Sequence, residues 1–134
     1  ALADGRERHE AWIVQADLVV ADVPCSGLGI IRKKPDIRYK NPKELAKLPR
    51  EQRAILENAA SYVRPGGTLI YSTCTVLPEE NQEVVTWFLK EHPEFHLSPF
   101  VLPAPIGGCD GHLTLWPQRW GTDGFYICRL EKQE

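Results

Sequence analysis

The chain has 134 residues, 43% of them hydrophobic and 25% charged, and a formal net charge of −2. These values are typical of one globular domain that can bury a core, and they give no overall sign of nucleic-acid binding. No apolar run approaches the roughly 20 residues of a membrane helix and no signal-peptide pattern is present, so we expect a cytoplasmic protein without a membrane partner.

The first half of the chain predicts a strand, a loop and a helical region. The β-branched, apolar run DLVVAD at 17–22 is typical of a buried strand. The segment 24–42 contains two glycines, several prolines and five basic residues, which indicates a loop. Residues 42–63 have helical spacing, with Pro49 dividing a short helix from a longer one and RPGG ending it.

The second half predicts a strand at 67–73 and a helix at 78–92 that begins at Pro78. FHLSPF is a candidate strand, and GFYICRL at 124–130 alternates as a final strand. Residues 103–124 are rich in proline and glycine, so we expect a long functional loop there.

The order of these elements indicates the fold class. Strand, helix, strand, helix and late strands are the pattern of an α/β sheet with crossover helices. Ligands of such open sheets bind at the carboxyl ends of the strands. Asp22 to Cys25 follow one strand, and Thr73 and Cys74 end the other. If these strands are neighbours, both thiols face one crevice.

Four cysteines are present, at positions 25, 74, 109 and 128. No C-x-x-C pair occurs, so a zinc ribbon and a metal site are not expected. Nothing else indicates secretion, and we expect reduced thiols. Cys109 and Cys128 are interpreted as structural.

Three interpretations compete for PCSGLGIIR. A cysteine-dependent phosphatase loop needs five residues between cysteine and arginine, whereas six separate Cys25 from Arg32. A thiol oxidoreductase would need a local resolving partner, which neither Cys25 nor Cys74 has. Both cysteines could also be small buried hydrophobic residues. That last interpretation is weakened by their matching positions at two strand ends.

The paired motifs DVPCSGLG and YSTCTVLPEEN resemble those of the RNA cytosine-5 methyltransferases, and most closely those of the bacterial small-subunit ribosomal RNA enzymes. PGGTLIYSTC and LWPQRWGTDGFYICRL are also similar to that family, as is DGR at 4–6, which corresponds to the segment that meets the adenine of S-adenosylmethionine. The resemblance covers nearly all of residues 2–132.

The resemblance implies a Rossmann-like fold, S-adenosylmethionine as methyl donor and 5-methylcytosine in RNA as product. It assigns attack on the base to Cys74 and assistance in product release to Cys25. Asp22 is the candidate contact to the cytosine ring and to the cofactor, and Asp4 the candidate acceptor for the adenine amino group. Pro24 is expected to shape the substrate-binding loop.

The chemistry explains why two thiols are useful. Carbon 5 of cytosine is a poor nucleophile, and a thiolate that adds at carbon 6 makes carbon 5 electron-rich. Methyl transfer then leaves a saturated adduct, which must lose the carbon-5 proton before the thiol can depart. One group is therefore needed for attack and a second for release.

Basic residues dominate one segment of the chain. Nine lysines and arginines stand against three acids from Arg32 to Arg53, a local charge of +6. Such a stretch can contact RNA phosphates, although a solvated helix surface would have the same composition. The candidate phosphate contacts are Arg32, Lys33, Lys34, Arg38 and Lys40. A base that must enter a pocket favours single-stranded or locally opened RNA.

The chain also departs from the family pattern. The glycine-rich cofactor loop, the acidic ribose ligand and the RNA-binding domain would all precede residue 1, so we expect the carboxyl-terminal portion of a catalytic domain. A transfer-RNA cytosine-5 methyltransferase and a non-catalytic RNA-binding or assembly module are the alternatives. Glu79, Glu80 and Asn81 are interpreted as helix caps, and no role is assigned to Ser26 or Thr73.

Overall fold

A computed structural model describes residues 4–27, 42–121 and 123–134. In chain order, the elements are β1 (Ala16–Asp22), α1 (Pro42–Leu45), α2 (Leu48–Tyr62), β2 (Val63–Thr73), α3 (Gln82–Glu91), β3 (Phe95–Leu97), β4 (Phe100–Leu102), β5 (Gly107–Cys109), β6 (His112–Leu115), α4 (Pro117–Trp120) and β7 (Phe125–Lys132).

Five strands form the main sheet. β1 pairs in parallel with β2, with Asp22 opposite Ser72, and β2 pairs antiparallel with β7. The other edge of β7 pairs with β3 and with β6, both antiparallel. β4 and β5 form a separate two-stranded sheet. Because β1 and β2 are parallel neighbours, their carboxyl ends lie side by side.

The helix α2 is the crossover between the two parallel strands. It begins with Pro49 in its first turn, where the missing N–H of proline costs no intrahelical hydrogen bond. Its buried face carries Gln52, Leu56, Ala59 and Ala60 at helical spacing. Three of these side chains are apolar, and Gln52 is the polar exception.

The core lies between the sheet and helices α2 and α3. Its fully buried side chains include Leu56 of α2, Phe88 of α3 and Leu69, Tyr71 and Tyr126 of the sheet. Tyr71 and Tyr126 meet edge to face, with ring centroids 6.4 Å apart. Burial raises the pKa of both tyrosine hydroxyls far above the ordinary value.

The predicted strands at 17–22, 67–73 and 124–130 are confirmed, and so is the division of the helical region at Pro49. The predicted start of the third helix at Pro78 is wrong, because residues 78–81 form a turn.

The prediction of a long loop at 103–124 is also wrong. This segment contains β5, β6 and α4, and β6 pairs with the edge of β7. Pairing with a neighbouring strand supplies hydrogen bonds that local composition does not reveal. No helix in the described ranges is long and apolar enough to cross a membrane.

Candidate active site

The two thiols predicted to share a crevice are in direct contact. Cys74 follows β2 at once and Cys25 lies three residues past β1, and the Sγ atoms are 2.7 Å apart. Both cysteines are free thiols, so either can donate in this contact. The backbone N–H of Cys74 also donates to the Cys25 sulfur at 3.2 Å. The strand order therefore brings together residues that are 49 positions apart in sequence.

The environment of Cys25 favours the neutral thiol. Burial, followed by the hydrogen bond with Cys74, raises the pKa of Cys25 to about 12. A thiol with such a pKa remains protonated at neutral pH and can donate to a neighbouring sulfur.

Polar side chains hold the residues on either side of Cys25. The Gln52 amide donates to the carbonyl oxygen of Pro24 at 3.0 Å and to Glu80 Oε1 at 2.9 Å. The same Glu80 oxygen accepts the backbone N–H of Ser26 at 2.8 Å. Gln52 and Glu80 are both buried, so these bonds form away from solvent.

A second set of bonds holds the residues on either side of Cys74. The Thr73 hydroxyl donates to Asn81 Oδ1 at 2.6 Å, and the Asn81 amide donates to the carbonyl oxygen of Thr75 at 3.0 Å. The Thr75 hydroxyl lies 2.8 Å from that of Ser26, which joins the two sets. We call these hydrogen-bonded residues the polar frame: Pro24, Ser26, Gln52, Thr73, Thr75, Glu80 and Asn81.

Asp22 lies at the solvent side of the same strand end. Its carboxylate is exposed and accepts the Ser72 hydroxyl at 2.9 Å. Ser72 is the strand partner of Asp22, so the pairing of β1 with β2 orients this carboxylate. The proposed contact of Asp22 with cytosine stays a prediction.

A cavity of about 440 Å³ adjoins this strand end. It contains both predicted cofactor residues, Asp4 and Asp22, together with Pro24. The remaining lining residues are Gly5, Arg6, Val20, Ala21, Glu51 and Ile55. Apolar side chains beside three carboxylates, against the single cation Arg6 that is paired with Asp4, suit a ligand that has an aromatic ring and positive charge. The residues present therefore fit an adenosyl sulfonium group.

Asp4 already has a partner within this cavity. Its carboxylate accepts Arg6 Nη2 at 2.7 Å and the backbone N–H of Arg6 at 2.9 Å. These bonds hold the pKa of Asp4 at about 2. An adenine amino group would have to share this carboxylate with Arg6, and the adenine role of Asp4 stays a prediction.

The predicted phosphate contacts Arg32, Lys33, Lys34, Arg38 and Lys40 lie outside the described residues. Within the part of the chain that is described, no three His, Cys, Asp or Glu side chains gather as a possible metal site. Of the two cysteines interpreted as structural, Cys128 is fully buried and Cys109 is partly buried.

The interpretation of Glu80 and Asn81 as helix caps is wrong, and that of Glu79 stays a prediction. Asn81 occupies the N-cap position of α3 but makes no side-chain capping bond, because its amide faces the Cys74 loop. Glu80 turns inward to Gln52 and Ser26. Gln52 was missed at the sequence level, although a polar residue on the apolar face of α2 is a readable signal.

Comparison with known proteins identifies the family to which this chain is similar. A family model described as 16S rRNA methyltransferase RsmB/F matches residues 1–131. The probable ribosomal RNA small subunit methyltransferase B of Bacillus subtilis is 42% identical over 132 residues, which cover 89% of this chain and 28% of that protein.

Solved structures of other proteins also match this chain. The crystal structure of PH0851 is 38% identical with a TM-score of 0.84, and the match covers 97% of this chain and 30% of that one. The crystal structure of NSun6 from Pyrococcus horikoshii with SFG is 30% identical with a TM-score of 0.70, covering 86% and 29%.

The fold is thus that of the Rossmann-like, S-adenosylmethionine-dependent methyltransferases, as predicted. Within that class, the chain belongs to the 16S rRNA methyltransferase RsmB/F family. The predicted resemblance to the RNA cytosine-5 methyltransferases, and among them to methyltransferase B (Sun/Fmu), is confirmed. The chain spans about 28% to 30% of the length of these relatives.

Proposed function

We propose that this chain carries the catalytic thiols of an enzyme that transfers a methyl group to carbon 5 of a cytosine in ribosomal RNA. The single observation that carries the proposal is the contact between two free thiols, 2.7 Å apart, at the ends of parallel strands. The residue before Cys25, Pro24, lines the cavity described above, so the thiol pair follows directly on that wall. Membership of a ribosomal RNA methyltransferase family supports the substrate class.

The cavity beside Asp22 is the proposed site of S-adenosylmethionine. Bound there, the cofactor would supply an electrophilic methyl group. The walls formed by Val20 and Ile55 would cover the adenine, and Asp4 would accept its amino group. Asp22 and Glu51 add negative charge that favours a sulfonium. NSun6, solved with SFG, supports a donor of this type.

Cys74 is the proposed nucleophile. After its proton passes to water, the Cys74 sulfur would bond to carbon 6 of cytosine, and the electron pair of the 5,6 double bond would move to carbon 5. Carbon 5 would then take the methyl group as the bond between that group and the sulfur of the donor breaks, which leaves the donor as a neutral thioether. Asp22 stands at the same strand end, and its carboxylate would accept a hydrogen bond from the amino group of the cytosine ring and so orient the base. Addition lowers the barrier because it replaces one difficult substitution with two easier steps.

Cys25 is proposed to assist the release. The carbon-5 proton leaves to water, its electron pair restores the 5,6 double bond, and the bond between carbon 6 and the Cys74 sulfur breaks. The departing sulfur carries negative charge. Cys25 is protonated at neutral pH and lies 2.7 Å away, so its S–H can donate to that sulfur as it leaves.

The RNA would be held by the basic segment that includes Arg32, Lys33, Lys34 and Arg38, whose phosphate contacts add affinity without reading sequence. Single-stranded or locally opened RNA is the favoured substrate, because the base must reach the thiols. Relatives named as ribosomal RNA methyltransferases favour ribosomal over transfer RNA as the substrate.

Mapping 5-methylcytosine in total RNA from cells with and without the parent gene tests this function. We expect one or a few methylated cytosines of small-subunit ribosomal RNA to disappear in the deletion strain and to return with the wild-type gene. Loss of a methylated cytosine in transfer RNA instead would show that the enzyme acts on transfer RNA. An unchanged methylation map would favour the non-catalytic RNA-binding or assembly module.

A further inference from the structure

The polar frame holds both neighbours of each cysteine. Pro24 and Ser26 flank Cys25, and they are bonded to Gln52 and Glu80. Thr73 and Thr75 flank Cys74, and both are bonded to Asn81. The sulfur atoms themselves contact each other rather than the frame. The frame therefore acts on the backbone that carries the thiols.

Glu80 is the central member of this arrangement. Its side chain is 2% exposed, and one carboxylate oxygen accepts both the Ser26 N–H and the Gln52 amide. The Tyr71 hydroxyl donates to the Glu80 carbonyl oxygen at 2.6 Å, which fixes its backbone. Glu80 thus joins the Cys25 loop to α2 and to the turn before α3.

Gln52 shows that this arrangement is not simply the most stable one. Both hydrogens of its amide are used, toward Pro24 and Glu80, but its own Oε1 is buried without a hydrogen-bond partner among residues 4–27, 42–121 and 123–134. A buried unsatisfied carbonyl destabilises a fold. An apolar residue would remove that unsatisfied carbonyl, but it would also remove the amide hydrogens that the Pro24 carbonyl and the buried Glu80 carboxylate accept. The two bonds to the Cys25 loop and to Glu80, and not the filling of the helix face, are therefore what Gln52 adds.

We propose that Glu80 and Gln52 are positioning residues that hold the Cys25 loop so that its thiol stays against Cys74. Asn81 does the same for the Cys74 loop. None of the three needs to touch RNA or cofactor. This inference goes beyond the proposed function, since it names the residues that set the distance between the two thiols.

The first test measures thiol reactivity in the full-length parent protein without substrate, and so does not depend on the proposed methylation. Alkylation of Cys25 by iodoacetamide at pH 8 is followed by peptide mass spectrometry. Releasing the loop exposes its thiol, so we expect Glu80→Ala to accelerate alkylation of Cys25 by about tenfold or more, because burial no longer protects it. Glu80→Gln keeps an oxygen acceptor and should restore the slow rate.

Two variants separate positioning from general destabilisation. Gln52→Met is close in volume, keeps the helix face filled and removes the unsatisfied oxygen, so the protein should still fold. We expect it to accelerate alkylation of Cys25 as Glu80→Ala does. Leu56→Ala lowers Tm through a core cavity in the same helix and should leave that rate unchanged below its melting temperature.

The second test measures single-turnover methylation. A misplacement of about 1 Å can cost on the order of a hundredfold in rate, so we expect Glu80→Ala and Gln52→Met to lower the single-turnover rate constant by about tenfold to a hundredfold. Glu80→Gln should recover most of it. Glu79→Ala, the exposed neighbour with the same charge, serves as the matched control and should behave as wild type.

The outcomes are separable. Slow alkylation of Cys25 in both Glu80→Ala and Gln52→Met, with both proteins folded, overturns the positioning role. Fast alkylation of Cys25 in the wild-type protein, whether or not it methylates RNA, would show that the frame does not protect this thiol and overturns the role as well. Fast alkylation in the variants with wild-type methylation would show that the frame is structural only.

Discussion

The Asp22 carboxylate accepts the Ser72 hydroxyl across the β1–β2 pair, in register with the strand ends that lead to the two thiols. One parallel strand pair therefore sets three candidate groups at once: the carboxylate, Cys25 and Cys74. The cavity beside Asp22 opens at the same strand ends. The two sulfurs, the carboxylate and the cavity thus lie at the same end of the parallel strand pair.

The first prediction concerns the Asp4–Arg6 pair. Arg6 holds the pKa of Asp4 at about 2, below its usual value of 3.8. An NMR titration should therefore find the Asp4 carboxyl ionised above about pH 3. The pair contributes to stability above pH 3.8, and that contribution is lost as the pH falls through 2. Arg6→Ala should move the midpoint back toward 3.8; an unmoved midpoint would show that Arg6 is not its cause.

The second prediction concerns the pH dependence of Cys25. Its pKa of about 12 lies above the usual 9.0, so the fraction of thiolate stays low until strongly alkaline pH. The rate of Cys25 alkylation in the wild-type protein should keep rising from pH 8 to above pH 10. The thiol contributes to the free energy of unfolding below pH 9, and that contribution is lost as the pH rises through 12. A plateau in the rate near pH 9 would contradict burial as the cause.

The third prediction concerns the core. Leu56 is fully buried in α2 against the sheet, so Leu56→Ala should lower the free energy of unfolding by about 2–5 kcal/mol. Leu18 is exposed on the outer strand, and Leu18→Ala in the same denaturant titration is the matched control, with a much smaller change expected. An equal loss of unfolding free energy in the two variants would show that Leu56 is no more part of the core than Leu18 is.

Sequence patterns predicted those features of the site that depend only on where the two parallel strands end. The runs DLVVAD and GTLIYST are apolar and β-branched enough to identify β1 and β2, and from these the shared crevice of Cys25 and Cys74 follows by topology. The resemblance then supplied a chemistry for both thiols, which the fold itself does not provide.

The polar frame could not be predicted in the same way. Glu80 and Asn81 follow a proline and precede an apolar helical run, which is the local pattern of a capped helix start. Their side chains turn inward because buried N–H, carbonyl and hydroxyl groups of the two cysteine loops need partners. That demand arises only when the loops meet in the folded chain. Similarly, β6 becomes a strand because β7 offers it an open edge.

The fourth prediction concerns RNA binding by the basic segment. Neutralising Arg32, Lys33 and Lys34 together in the full-length protein should weaken RNA binding and flatten its salt dependence, because fewer counterions are released. For single-stranded RNA, three lost phosphate contacts should reduce the slope of log K against log salt by about 2. Filter binding at several salt concentrations measures this. An unchanged slope would mean that the segment is a solvated surface.

The last prediction separates the two thiols. Cys74→Ala in the full-length enzyme should abolish both methylation and any covalent RNA adduct, because no sulfur adds to carbon 6. Cys25→Ala should also lose turnover, but after addition and methyl transfer, so that RNA remains bonded to Cys74. A denaturing gel should then show a protein–RNA band for Cys25→Ala that depends on S-adenosylmethionine, and none for Cys74→Ala.

Two controls complete this experiment. The double variant should behave as Cys74→Ala does, since no adduct can form to be trapped, and Cys109→Ala should methylate as the wild type does. Bands in the reverse pattern would assign the attack to Cys25 and release to Cys74. Methylation that survives in both single variants, with no band from either, would mean that the 2.7 Å contact joins two structural thiols. The variant that shows the trapped band thus decides which of the two cysteines is the nucleophile.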